Sequence, residues 1–349
     1  MPRRILLTLA LAVTAAPAAR ADLINLIPGS TYKATGNAVR GTVTAESPTE
    51  VTVKVGNTNQ AVPTSQIASI RYDGRPASLD LASAREASGN LAEAADQYKK
   101  AATEAASRPF IVDDALFNQA RVTADLGLTD PSRTDAAIAL LEAFLRDHSG
   151  SRHLVPSLEA LAKLQMQKGS YDAVAQTIDR LSKIPQTADR AAILRARVAT
   201  RKGDHDAAIS ELDAMIAAAP EGSIKRRDAQ LAKAESLVAL KKYPEAEALV
   251  RGVIKGAPAE DAATQAVAHN TLGDCLRAAG RPKDALYAYL HTDLLFFKDK
   301  EQHPKALARI VQIWRDLKRD ERADEALERL KQEYPKSPYV AAASAKAGG

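Results

Sequence analysis

Arg190, Arg197 and Arg201 sit at successive offsets of seven and four. Those offsets put all three on one face of a helix. A guanidinium offers a planar fork that matches carboxylates and phosphates. The trio is therefore a candidate site for an acidic peptide or for the C-terminal carboxylate of another chain. The alternative is a solvated face with internal partners such as Glu159. No other grouping suggests bond-making chemistry. The six histidines, His148, His153, His205, His269, His291 and His303, are scattered, and none shows the His-x3-His spacing of a helical metal site. There is no Gly-x-Ser-x-Gly elbow, no Walker loop and no glycine-rich dinucleotide turn. Cys275, the only cysteine, reads as a packed small residue rather than a nucleophile. Trp314 falls at a core position of its helix. The expectation is a protein without catalytic, cofactor or metal residues.

The elements that hold these residues change character along the chain. Residues 1–21 read as a secretory signal: Arg3 and Arg4, an apolar run over 5–13 too short to span a bilayer, and a small-x-small cleavage site at Ala19-Arg20-Ala21. Asp22 would then be the first mature residue. No cysteine stands directly after the cleavage point, so a lipoprotein is not expected, and one cysteine allows no intramolecular disulfide. No later segment is apolar enough to span a membrane. The expected location is bacterial, periplasmic or secreted. Loss of Arg3, Arg4 and Arg20 lowers the formal charge from +5 to +2. The longest basic run left is Lys225-Arg226-Arg227, too short for a nucleic-acid surface.

Residues 22–75 alternate with period two at Val39–Ala45 and Glu50–Val55, turn at Gly56-Asn57, and alternate again at Gln60–Val62 and Ile67–Tyr72. Four or five short strands with tight turns predict a small barrel or curled sheet. The order resembles small SH3-like or Sm-like barrels, chiefly through Val62-Pro63-Thr64-Ser65-Gln66-Ile67. Such a module binds a ligand or caps the first helix that follows. Asp73-Gly74-Arg75-Pro76 marks the boundary.

From 76 to about 340 the texture is helical, and a small residue recurs at Ala94, Ala137, Val174, Ala208, Ala246, Ala285 and Ala323, at steps of 34 to 43. A large residue follows four places on in each unit: Tyr98, Leu141, Ile178, Leu212, Val250, Tyr289 and Leu327. Twelve places before the marker stands Ala82, Ala162, Ala196, Ala234, Gly273 or Val311. The second unit has Asp125 there, and Ala120 is expected to take its role. Small residues facing large ones let paired helices cross closely, and a period in this range predicts stacked helical hairpins. Residues 341–349 are expected to form a flexible tail.

This register resembles the tetratricopeptide repeat (TPR) family. Gly89, Gly169, Gly203 and Gly280 take the first-turn place, Tyr171 and Tyr243 the aromatic place, and Pro220, Pro258 and Pro335 the closing proline place. The ending Glu333-Tyr334-Pro335-Lys336-Ser337-Pro338 is similar to endings of bacterial envelope members. The resemblance implies a mainly α solenoid of about seven hairpins whose first helices line a concave groove. It places Lys163, Arg190, Arg197, Arg201, Glu235, Asn270, Asp274 and Arg277 in that groove. The function it implies is a non-enzymatic scaffold or adaptor that holds a protein or peptide partner, with no nucleic acid. The alternative is an auxiliary envelope-polymer (cell-wall) binding protein that makes contact through the β module. The run Leu294-Leu295-Phe296-Phe297 is expected to pack on the last hairpin, or, if exposed, to be an interaction patch.

Overall fold

The structure, a computed structural model, describes residues 21–344 except 28–29 and 336. The expected secretory signal lies outside the described residues up to position 20.

Strands β1 (Asp22–Leu26), β2 (Ala38–Glu46), β3 (Glu50–Val55), β4 (Thr58–Pro63) and β5 (Ile67–Arg71) form one antiparallel sheet in the order β4-β3-β2-β1-β5. The predicted turn at Gly56-Asn57 joins β3 to β4, with Val55 paired to Thr58. The pairing is that of a sheet with edges at β4 and β5, where a barrel was one of two expectations. β1 was not visible as an alternating run, yet it is the strand that joins β2 to β5. Asp22 anchors it: the buried carboxylate accepts the backbone N–H of Val43 at 2.8 Å and that of Asp73 at 2.8 Å. Ile24, Val51, Val53 and Val62 are fully buried. Their cluster runs on without a break into Leu79, Ala82, Tyr98 and Ile111 of the helices. The sheet and the first hairpins thus share one core.

Seven helical hairpins follow. They pair α1 (Ala77–Ala87) with α2 (Leu91–Glu104), α3 (Pro109–Thr129) with α4 (Thr134–Asp147), and α5 (Leu154–Lys168) with α6 (Tyr171–Ser182). Then come α7 (Ala188–Lys202) with α8 (His205–Ala218), and α9 (Ile224–Ala239) with α10 (Tyr243–Gly256). The last are α11 (Ala262–Ala278) with α12 (Pro282–Leu295), and α13 (Gln302–Asp316) with α14 (Asp320–Glu333). A single helix, α15 (Pro338–Ser344), closes the array. It carries the fold past residue 340, where the tail was expected to start. Ala343 is buried, and Arg315 donates to its carbonyl.

All seven marker residues from Ala94 to Ala323 are 0% exposed, so the small position is where the two helices of each hairpin meet. In the second unit Ala120 and Ala124 are both buried while Asp125 is exposed. The tight turns need a left-handed residue after the first helix. Gly169 and Gly203 supply it at φ +75° and +93°. Lys241 and Lys318 take the same conformation in the fifth and seventh hairpins. First helices touch first helices along the stack, α7 with α9, α9 with α11 and α11 with α13, and second helices make no comparable contact among the described residues. The first helices therefore line the inner curve and the second helices splay outward.

The crossing in the sixth hairpin leaves no room for a side chain at Gly273. A Cβ on Gly273 would lie 2.5 Å from Cε1 of the Tyr289 ring. Gly273→Ala should lower stability by about 1–3 kcal/mol through overpacking, measured by chemical or thermal unfolding. Gly273→Ala combined with Tyr289→Leu should recover part of that loss. A Gly273→Ala melt equal to wild type would refute the crossing.

Candidate functional site

On the inner curve, α5, α7, α9, α11 and α13 present a band of charge, and most of it is matched from within. Lys163 pairs with Glu301 at 3.2 Å, and Arg190 with Glu159 at 3.1 Å. Asp274 accepts from Lys305 at 2.8 Å, Arg309 at 3.2 Å and the Tyr289 hydroxyl at 2.7 Å. Burial alone would raise the Asp274 carboxyl. The two cations and the hydroxyl outweigh that and hold it below its usual value. Burial raises Asp228, against the opposing charge of Arg197. Asn270 lies beneath the surface: it is fully buried, and its amide donates to the backbone carbonyl and side chain of Gln302. It joins α11 to the start of α13 and is not offered to a groove ligand. Glu235 is exposed. Arg197, Arg201 and Arg277 form no ion pair with any described residue, and Arg201 and Arg277 are exposed.

The Lys163–Glu301 pair spans 138 residues of sequence. It joins α5 to the segment between α12 and α13. The charge of Lys300 from the same segment acts on Glu86 of α1 and Asp125 of α3. Beside it, α15 reaches α3. The seven hairpins therefore coil until the end of the array returns to its beginning, and the inner face is bounded across as well as along.

A second cluster, where the sheet meets the helices, had no signal in the sequence. Arg152, in the turn between α4 and α5, pairs with Asp114 of α3, and its Nε lies 3.6 Å from Glu46 of β2. Tyr72, just after β5, donates to Glu46. His153 Nε2 lies 3.0 Å from Asp114 and its ring stacks on Phe117 at 3.9 Å. These side chains are almost entirely out of solvent, with Arg152 9% exposed and His153 6%. Burial pushes Glu46 up to about 7 despite Arg152. Burial, reinforced by the Arg152 charge, pushes His153 down to about 4. Asp114 would also be raised by burial, but Arg152 and His153 hold it low. The His–Asp pair sits within this packing, largely out of solvent, and serves to bind the sheet to the array.

Cys275 is fully buried, donates to the carbonyl of Tyr243, and has its thiol raised by burial. Trp314 packs partly buried against the C-terminal core, with the Arg322 guanidinium over its ring at 5.0 Å. The Leu294–Phe297 run does not pack on the last hairpin. Leu294, Leu295 and Phe297 are 65%, 64% and 50% exposed. They end the outer helix α12, which has no second helix laid over it.

Two stretches match family models of the tetratricopeptide repeat, residues 159–223 and residues 305–337. The first covers most of the third hairpin and the fourth, and the second covers most of the seventh. Tetratricopeptide repeats are thus present in the chain. No curated protein matches it in sequence. Among solved structures it is similar to a tetratricopeptide repeat protein from Parabacteroides merdae, at 14% identity and TM-score 0.49 over 77% of this chain and 98% of that one. The apo form of the quorum sensor NprR from B. thuringiensis is similar at 13% identity and TM-score 0.49, over 73% and 75% of the two chains. PilW, a type IV pilus biogenesis factor, is similar at 15% identity and TM-score 0.41, over 66% and 97%.

Two outcomes follow from this geometry. Glu46 holds its proton in the folded chain up to about pH 7 but releases it near 4.5 when unfolded. Its stabilisation is full below 4.5 and is lost as pH rises through 7. His153 acts in the opposite sense between 6.5 and 4, because the unfolded chain takes up a proton that the folded imidazole refuses. The two oppose each other in the overlap, and above pH 6.5 Glu46 acts alone. Thermal stability should therefore fall from pH 6.5 to about pH 8, and Glu46→Gln should flatten that fall. Separately, Lys163→Glu sets a carboxylate against Glu301 and near Asp125. It should increase the radius of gyration in small-angle scattering, and Lys163→Glu with Glu301→Lys should reverse the increase.

Proposed function

We propose that this chain is a non-enzymatic scaffold or adaptor of the bacterial cell envelope that holds an acidic segment of a partner protein against its inner face. The observation that carries the reading is the set of cations there with no direct ion pair to any described residue. Lys163, Arg190 and Asp274 are satisfied from within, so a partner's carboxylates gain most at Arg197 and Arg201, one turn apart on α7, with Arg277 further along on α11. Guanidinium groups suit this role because each can engage a carboxylate through two parallel hydrogen bonds. The presence of tetratricopeptide repeats supports a protein partner. The signal-like first 21 residues support export. The core that the sheet shares with the first hairpins, and the Arg152 cluster beneath it, support the β module as a cap of the array rather than an independent binder of envelope polymer.

The reading is tested by recovering partners from envelope extract with the intact protein and with Arg197→Glu/Arg201→Glu, followed by mass spectrometry. The double variant should retain its melting temperature and lose at least about tenfold of an acidic partner. Identical partner sets for the two proteins would sink the inner-face site.

A further inference from the structure

The outer side of α12 carries a feature that the inner face does not explain. Tyr287, His291, Leu294 and Leu295 fall at i, i+4, i+7 and i+8, so they share one face of the helix. Tyr287 is 67% exposed, and Phe297 continues the apolar surface beyond the helix end. On the other second helices the large apolar side chains are mostly turned into the hairpin, and Tyr287, Leu294 and Leu295 are the exposed large apolar residues on them among those described. Beside this stripe, between α10 and α12, lies a cleft of about 400 Å³ with Arg251, Lys255 and Arg281 on its rim and Leu272 at its floor. Its wall is the His269–His291 stack, rings 4.5 Å apart, and His269 Nδ1 is buried without a hydrogen-bond partner. Glu247 and Asp284 answer Arg251 and Arg281. Lys255, Lys283 and Lys298 are exposed and have no ion pair with any described residue. The patch therefore joins protruding apolar side chains to an excess of positive charge.

We propose that the outer face of α12 is a peripheral docking surface for an anionic lipid bilayer. Leu294, Leu295 and Phe297 enter the boundary between headgroups and acyl chains, and Lys255, Lys283 and Lys298, which have no ion pair with any described residue, meet the lipid phosphates. Charge complementarity selects this occupant. A second copy of the chain would set the same lysines against each other near the two-fold axis. An amphipathic protein helix would need a groove to receive it, whereas this stripe stands out on the convex side of the array. A flat surface carrying phosphate reaches the apolar residues and the cations together. The proposal is independent of the inner-face site, which faces the other way.

The test is co-sedimentation of the intact protein with vesicles of phosphatidylglycerol and phosphatidylcholine in equal parts, and with vesicles of phosphatidylcholine alone. The protein should pellet with the anionic vesicles, remain in solution with the neutral ones, and be released by high salt. Leu294→Glu/Leu295→Glu should weaken binding at least about tenfold, and Lys255→Glu/Lys283→Glu should weaken it with the apolar stripe intact. Both pairs are exposed, so their melts should match wild type. Phe297→Ser gives a third, milder probe should either double variant unfold. A wild-type protein that stays in solution with anionic vesicles, or variants that pellet as it does, would overturn the proposal. So would binding of a labelled helical Glu/Leu peptide that depends on Leu294 while vesicles are ignored, which would assign the face to a protein partner.

Discussion

The closeness with which paired helices cross governs what this chain can display. A hairpin of two helices cannot bury its apolar face alone, so each unit depends on its neighbours. That dependence works only if the contact position is small. At Gly273 even a methyl group is excluded, because one side of the Tyr289 ring lies where a side chain would start. The consequence reaches the inner face. With its ring packed against Gly273 of α11, Tyr289 brings its hydroxyl to Asp274, which then takes Lys305 and Arg309 from the next first helix. A packing rule in the core thereby sets the charge pattern on the surface.

The same logic of dependence applies at the N-terminal end, with a different solution. The first hairpin has no preceding hairpin to cover it, and the β-sheet supplies the missing surface through a continuous core. Apolar contact alone leaves a sheet free to slide on helices. The Arg152 cluster removes that freedom, because the buried guanidinium keeps its counter-charge only while it stays beside Asp114 of α3, and it holds Glu46 of β2 next to it there. Glu46 and His153 show the strain of this arrangement in opposite senses, one tending to take up a proton and the other refusing it. Their opposition moderates the pH dependence of the junction across mildly acidic conditions.

What the sequence reveals and what it hides divide along these lines. The hairpins are legible because small and large residues recur at fixed offsets, and burial of every marker from Ala94 to Ala323 follows from that spacing. The turns are legible where Gly169 and Gly203 stand, less so where Lys241 and Lys318 adopt the same backbone. β1 is hidden because its residue types do not follow its burial: Asp22 takes a buried place and Leu23 an outward one, so no apolar alternation shows over Asp22–Leu26. The junction is hidden for a stronger reason: Glu46, Tyr72, Asp114 and Arg152 come from four separate segments, and no local pattern links them. The site residues divide in the same way. Arg190, Arg197 and Arg201 share a helix face, as their spacing requires, but Lys163 finds Glu301 only because the array coils back on itself. Asn270 was placed by repeat position alone, which does not register that the start of α13 covers it.

That coiling also limits what the inner face can hold. Charges matched within the wall offer little to a ligand, since breaking a satisfied pair returns about what the new pair provides. Discrimination then falls to the arginines with no direct ion pair to any described residue. Arg197 and Arg201 are about one turn apart, close enough to read adjacent carboxylates. Arg277 stands two first helices along, which at a typical helix spacing of 8–10 Å is about 20 Å away. An extended chain covers about 3.3 Å per residue, so roughly six residues bridge that distance. A helical segment of the same length would fall short by half. On the proposed reading, the inner face suits a partner segment in extended form, with paired acidic residues at one end and a single acid about six residues on.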